Sequence, residues 1–293
     1  VAPVPEGVKL DAQAGRITYS PIIAKDLSAK PATIVFEVTD SGAPPLSTRA
    51  SFGVSFRVAD LLARLREQLK KAQAVREISE VLTAGKSLES VPSVDAKGLR
   101  SLLAEAYVKR GDAYLAVQDF GSALVDFNTV VKELDVRHID ARLGRAFCYG
   151  RQGDWRTALV EYDDILSLDD KNASGYLNRA TAHYELKQYR EAASDAGNAV
   201  DLQPDNPTTY FVRGNAKLSL KDQAGAFADL KQAIEGFMAR PDNGGPMLAG
   251  ALQKQLEIMA ADPTLRDADL AKSYARRLAA LKSEGVKKVA EGK

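Results

Sequence analysis

The chain has few of the residues that usually build a catalytic or metal centre. Its 293 residues include one cysteine, two histidines and one tryptophan. With Cys148 as the sole cysteine, neither a disulfide framework nor a thiolate metal site can form within one chain. Because His138 and His183 are the only histidines, a histidine-rich metal site is excluded as well. We therefore expect no metal and no cofactor, and we interpret Cys148 as a small buried hydrophobe.

The chain also has no surplus of positive or negative charge. The 40 basic and 39 acidic residues leave a formal net charge of +1. Nucleic acids and anionic membranes select proteins with a basic stripe that neutralises phosphates. This balance argues against both kinds of partner, and the basic residues of the C-terminal tail are expected to be a solvated helix end.

Long apolar runs and catalytic signatures are absent too. No run approaches the roughly 18 apolar residues that a membrane-spanning helix needs, so membrane insertion is not expected. The motifs G-x-x-x-x-G-K-[ST], H-E-x-x-H and G-x-S-x-G do not occur. We predict that the chain is not an enzyme. Because it opens on Val1 without a charged-then-apolar leader, we expect a processed form or an excised piece of a longer chain.

What the sequence does contain is a regular array of small residues. Gly111, Ala146, Ala180 and Gly214 recur at intervals of 35, 34 and 34 residues. A small or aliphatic residue follows each of them after 12 and again after 19 residues: Ala123, Ala158, Ala192, Ala226, Val130, Ile165, Ala199 and Ala233. A period near 34 indicates a helix-turn-helix repeat, in which small residues let two antiparallel helices cross closely.

These rows resemble the tetratricopeptide repeat. The third copy, ASGYLNRATAHYELKQYREAASDAGNAVDLQPDN, is the clearest. The family's marks in it are Tyr176, Ala180, Tyr189, Ala192, Ala199 and Pro204. The four copies occupy about 104–137, 139–172, 173–206 and 207–240. The resemblance implies a mainly α fold, a right-handed α-solenoid of these repeats, and it places His183 in a row of packing residues.

A row of charges has the same period. Arg110, Arg145, Arg179 and Arg213 each precede a small residue of the array, and an acid follows each arginine after 16 residues: Asp126, Glu161, Asp195 and Asp229. The arginines could form a basic binding stripe. Because every arginine has a matching acid, we predict instead an ion pair that joins the two helices of each repeat.

The resemblance also implies where a ligand binds, on the inner face of each repeat's first helix. The residues that fall there are Phe147, Arg151, Asn178, Thr181, Tyr184, Phe211 and Asn215, with Lys109 and Asp112 in the first copy. Only Asn178 matches the clamp by which the best-known subclass grips a C-terminal carboxylate. The other clamp places hold Leu143, Phe147, Thr208 and Val212. We therefore predict an extended peptide, bound by amide hydrogen bonds and apolar pockets.

Residues 1–58 follow the period of two that is typical of strands. Ala50, Phe52 and Val54 alternate with polar residues, and VKLD and RITY flank the turn signal AQAG, so about four strands are predicted. The segment resembles part of a cadherin-like or putative-immunoglobulin bacterial repeat, which implies a small N-terminal antiparallel β module without its opening strands. Of that family's calcium positions only Asp40 matches, so no calcium site is expected. Such modules are usually exported, which favours an extracytoplasmic (secreted or periplasmic) location over a cytoplasmic one.

Capping helices are predicted on both sides of the repeats. Residues 59–103 show one helical face that ends near Gly85 and a second helix that starts behind Ser93. Residues 241–293 contain a pair of helices, about 247–260 and 267–284. This pair is either a solvating cap or a decayed fifth repeat.

Three functions fit this pattern. The first is a non-catalytic interaction scaffold that binds a protein or peptide in the concave groove of the repeats. The second is an extracytoplasmic adhesion or assembly protein in which the β module binds and the helices act as a spacer. The third is a regulatory subunit of a larger complex. The oligomeric state is left open.

Overall fold

The structure, a computed structural model, describes residues 8–11, 16–19, 32–39, 47–54, 58–89, 94–240 and 245–290, with side chains between 61 and 283 of these ranges. The chain divides into two compact units, Val1–His138 and Ile139–Lys293.

The described part of the first unit begins with strands. They are β1 (Val8–Asp11), β2 (Arg16–Tyr19), β3 (Ala32–Thr39) and β4 (Ser47–Val54). β1 pairs antiparallel with β2, and β3 pairs antiparallel with β4 in a separate two-stranded sheet, with Ile34 opposite Phe52. These two hairpins do not show a cadherin-like or immunoglobulin-like module, so that assignment stays a prediction. Asp40 lies outside the described residues.

The helices of the first unit follow these strands. They are α1 (Val58–Lys71), α2 (Val75–Ser87), α3 (Ala96–Ala116) and α4 (Phe120–Thr129), which continues into a π-helical turn (Val130–Leu134). The prediction of one continuous helical face that ends near Gly85 is wrong in one respect. The segment forms two helices, α1 and α2, with a break between them. The carboxylate of Glu77 accepts hydrogen bonds from the backbone N–H groups of Gln73 and Ala74, at 2.8 and 3.3 Å, and so caps the start of α2.

The described secondary-structure elements of the second unit are all helices. Its helices are α5 (Ile139–Arg151), α6 (Trp155–Leu168), α7 (Ala173–Glu185), α8 (Tyr189–Leu202), α9 (Pro207–Ser219), α10 (Gln223–Met238), α11 (Gly245–Ala261) and α12 (Ala268–Ala290), with a 3₁₀ turn (Pro263–Leu265) before α12. The pairs α5–α6, α7–α8 and α9–α10 coincide with the second, third and fourth sequence copies. The helix-turn-helix repeat is therefore confirmed in this unit, and α3–α4 follows the same plan in the first.

The turn inside each repeat has one residue with a left-handed backbone. These residues are Gln118, Gly153, Lys187 and Lys221, with φ of 61°, 84°, 62° and 66°. In three repeats the next residue is an aspartate that accepts the backbone N–H three residues later and caps the second helix: Asp119, Asp154 and Asp222. The turn therefore combines a helix-ending αL residue with an N-cap, as a short helix-helix connection requires.

A glycine substitution tests this turn. Because only glycine adopts φ near +60° without cost, we expect Lys187→Gly to raise the free energy of unfolding by about 0.5–1 kcal/mol. The reverse change, Gly153→Ala, should lower it by about 1 kcal/mol. Urea unfolding followed by circular dichroism measures both. Shifts of the same sign in the two variants would contradict the assignment.

The small-residue array forms the core of the repeats. All four small residues of the first row are buried, and the eight residues of the two following rows are fully buried. The fourth repeat continues into a core that it shares with the last two helices. Leu270, Tyr274, Leu278 and Leu281 all pack into that core. The last helix therefore contributes an apolar face to the core at the end of the repeats.

Candidate functional site

The predicted ion pairs are present in every repeat. Arg110 reaches Asp126, Arg145 reaches Glu161, Arg179 reaches Asp195 and Arg213 reaches Asp229, each with its shortest N–O distance at 2.7 Å. All four acids are buried. Because each guanidinium is held by the carboxylate of its own repeat, the row is a scaffold element and not a basic binding stripe.

The second repeat carries a compensating change. In the other three repeats a tyrosine ring lies three residues before the arginine, with its centroid 5.4–5.6 Å from the guanidinium carbon: Tyr107, Tyr176 and Tyr210. The second repeat has Arg142 at this place. Its Nη1 donates to Glu161 at 3.1 Å and to Asp164 at 2.8 Å. Glu161, the one glutamate of the acid row, therefore holds two arginines.

Neither His183 nor Cys148 presents a reactive group to solvent. The Nδ1 of His183 lies 2.7 Å from Oε1 of Gln188, and its Nε2 lies 3.7 Å from Asp195. Cys148 is fully buried, and desolvation raises the pKa of its thiol to about 11. The thiol therefore stays protonated near neutral pH. The prediction that Cys148 packs as a small buried hydrophobe is confirmed.

A cavity of about 490 Å³ opens in the second unit. It lies along α5, α7 and α9, the first helices of three successive repeats, with additional residues from α6 and α11. Seven of the nine ligand-contact residues predicted from the sequence line it: Phe147, Arg151, Asn178, Thr181, Tyr184, Phe211 and Asn215. We call this cavity and its lining the groove. The structure thus brings the predicted set together, while their role in binding stays a prediction.

Three aromatic walls of the groove are fixed by packing beneath them. The ring of Tyr184 lies against Tyr189, with 5.4 Å between ring centroids. The ring of Phe211 meets the buried Phe237 edge-on at 6.3 Å. Trp155 lies on Gly150 so closely that a Cβ there would come within 2.6 Å of its ring. These walls are preorganised, so little conformational entropy is lost when a ligand binds against them.

The polar groups of the groove are mostly uncharged. The Thr181 hydroxyl donates to the backbone carbonyl of Leu177 at 3.0 Å, within its own helix. By contrast, Oδ1 of Asn215 is buried from solvent and has no hydrogen-bond donor among the described residues. The charged lining residues are Arg151 and Glu185, one of each sign. The groove therefore has no net charge.

One lining hydroxyl is deeply desolvated. Burial raises the pKa of the Tyr162 phenol far above its ordinary value. Only about 2 % of this residue is exposed. Tyr162 therefore lines the groove as a neutral side chain.

Sequence reasoning missed half of the lining. The residues not predicted as ligand contacts are Trp155, Tyr162, Leu177, Glu185, Thr208, Val212 and Met247. Thr208 and Val212 enter the sequence prediction only as departures from the carboxylate clamp. Trp155 begins the second helix of its repeat, whereas the prediction concerns the first helices, and Met247 belongs to α11, outside the repeat period. A search within three residues of each predicted contact finds four of the missed residues, Leu177, Glu185, Thr208 and Val212.

Lys109 and Asp112 of the first copy lie in the other unit. The Nζ of Lys109 donates to the carbonyl oxygens of Leu69 and Lys70, at 2.6 and 3.2 Å. It therefore caps the C-terminal end of α1, where carbonyls lack helical partners. The expectation that Lys109 faces a ligand is not supported, since its ammonium serves the capping helices.

The residues that the structure describes contain neither a metal-ion cluster nor a membrane-spanning helix. No group of three or more histidine, cysteine, aspartate or glutamate side chains there is arranged to hold a metal ion. Likewise, none of the helices in these ranges is both long and apolar enough to cross a bilayer.

Comparison with known proteins gives structural likenesses only. No family model and no curated protein matches the sequence. The structure is similar to MamA (41-end) from Desulfovibrio magneticus RS-1, with a TM-score of 0.51 and 14% identity over 62% of this chain and 96% of that one. The fold is that of a helical repeat protein.

Two further solved structures are similar over part of the chain. One is TTC0263, a thermophilic tetratricopeptide-repeat protein of Thermus thermophilus, with a TM-score of 0.46 and 19% identity over 66% of this chain and 99% of that one. The other is the first such domain of Spaghetti (RPAP3), bound to an HSP90 peptide, with a TM-score of 0.38 and 24% identity over 42% of this chain and 91% of that one.

Proposed function

We propose that this chain is a non-catalytic interaction scaffold that binds an extended segment of a partner protein in the groove. The observation that carries the proposal is the convergence of seven of the nine predicted contact residues on one cavity. Helical repeat arrays use extended concave surfaces of this kind to hold other chains. A volume of about 490 Å³ is in the range of ligand sites in proteins.

The repeats also divide their residues between two tasks. The periodic residues, which are the small residues and the arginine–carboxylate pairs, are buried or paired within the scaffold. The groove residues vary from repeat to repeat: Phe147, Thr181 and Asn215 occupy the same place in successive copies. At the mouth, Phe147 and Met247 are 42% and 45% exposed. Exposed apolar side chains around a cavity are typical of a surface that a partner covers.

A selection from a random peptide library displayed on phage tests this function. We expect the whole chain to enrich peptides whose affinity falls at least tenfold for the double variant Phe147→Ala/Asn178→Ala. Tyr184 is not a suitable target, because its ring packs on Tyr189 and its loss would lower stability as well.

The matched control is Val160→Ala/Asn198→Ala. Both of these residues are exposed, and neither lines the groove. The control should bind the selected peptides like the parent chain, and both double variants should melt within about 2 °C of it. If the two double variants lost binding equally, or if neither lost it, the binding surface would lie elsewhere. Either result would refute the proposal.

A further inference from the structure

The occupant of the groove can be specified further by the chemistry of its lining. Eight of the fourteen lining residues are aromatic or aliphatic, four are uncharged and polar, and the two charged residues have opposite signs. A charged side chain or a free carboxylate that enters such a cavity loses its hydration and finds no surplus of counter-charge. An uncharged aliphatic or aromatic side chain loses nothing of that kind and buries apolar area against the fixed rings.

Asn215 supplies the second constraint. Its Oδ1 is an acceptor that has left water without gaining a donor among the described residues, which lowers the stability of the fold. Asparagine is also a weaker helix former than alanine, and Asn215 lies inside α9. A residue that lowers stability twice over while lining a cavity is of the kind expected at a binding site. The group that this acceptor lacks is an N–H donor.

We propose that the groove takes an uncharged apolar side chain of an internal peptide segment and that Asn215 accepts a hydrogen bond from a backbone N–H of that segment. This inference rests on the proposed function and deepens it. It distinguishes the groove from a site that grips a chain terminus, because an internal segment brings amide groups and no carboxylate. In this proposal the Asn215 side-chain amide turns toward the cavity on binding, because its Oδ1 is buried in the structure without a ligand.

Three N-acetylated tripeptides test the ligand chemistry. They are acetyl-Ala-Leu-Ala-amide, the same peptide with a free carboxylate, and acetyl-Ala-Lys-Ala-amide. The chain contains one tryptophan, Trp155, and it lines the groove, so its fluorescence reports binding directly. We expect the leucine amide to bind and the carboxylate and lysine peptides to bind at least tenfold more weakly.

Two substitutions at position 215 test the acceptor. Asn215→Ala and Asn215→Leu both remove Oδ1, and leucine restores the bulk. We expect each to weaken the leucine amide about tenfold, the equivalent of one hydrogen bond, while the melting temperature stays equal or rises. Asn198→Ala, the same change on the exposed face of α8, should raise the melting temperature without altering affinity.

The outcomes separate this inference from the function on which it rests. Carboxylate or lysine peptides that bind as tightly as the leucine amide would overturn it. A fall in melting temperature with Asn215→Ala would overturn it as well. So would the failure of all three tripeptides to bind. In each of these cases the scaffold function stands if library-selected peptides still discriminate Phe147→Ala/Asn178→Ala from its control. It falls only if they do not.

Discussion

Asp229→Ala is expected to lower the free energy of unfolding by about 3 kcal/mol. Asp229 is about 4% exposed and receives both Arg213 and Lys217, with N–O distances of 2.7 and 2.8 Å. Removing it leaves two cations beside a desolvated space. The loss should be near the low end for a broken buried pair, because the two cations retain 22% and 27% of their side-chain exposure. Urea unfolding of the whole chain measures it.

Asp163→Ala is the matched control for this ion pair. Asp163 also binds an arginine of the same row, Arg179, with an N–O distance of 2.8 Å, but 64% of its side chain is exposed. Surface ion pairs are worth less than about 1 kcal/mol, since water already solvates both charges. Arg179 also keeps its bidentate contact with Asp195. Similar losses in the two variants would show that burial does not set the strength of these pairs.

Gly111→Val is expected to lower the free energy of unfolding by about 3 kcal/mol. A Cβ at this position would lie 2.7 Å from two ring carbons of Phe127. That ring is fully buried at the crossing of α3 and α4, so it has no room to retreat. Valine adds two methyl groups to the same place. Thermal and urea unfolding both report the loss.

Gly197→Val is the control for helix propensity and bulk. Gly197 lies within α8, and a Cβ there meets nothing within 4 Å. Since glycine is the weaker helix former, this change should leave stability equal or slightly higher. If Gly111→Val were as harmless as Gly197→Val, the close crossing of α3 and α4 would be refuted.

The groove residues were predictable because the repeat makes position along the chain equivalent to position in space. Phe147, Thr181 and Asn215 occupy one place in successive copies, so a single assumption about the inner face located all three. Met247 follows no such rule, because α11 lies beyond the period. Nor could the pattern reveal that Trp155 serves both the turn and the groove.

Contacts made by one side chain alone were not predictable. No proline or glycine marks the break between α1 and α2 in the sequence. The break depends on the Glu77 carboxylate, which accepts hydrogen bonds from the backbone N–H groups of Gln73 and Ala74. Lys109 occupies a place on the inner face, yet its ammonium reaches the carbonyl end of α1, 39 and 40 residues away in sequence. The partner of such a long side chain is set by which backbone groups the packed helices bring within its reach.

By itself the sequence determined the repeat, its helices, its buried small residues and its ion pairs. Each of these depends on spacings within one helical hairpin, and a spacing can be read along the chain. The tertiary structure alone decided that Gly111 faces a buried phenylalanine ring and that Oδ1 of Asn215 is buried without a donor among the described residues. Both facts depend on which atoms of neighbouring helices approach each other, and packing sets those approaches once the helices are in place.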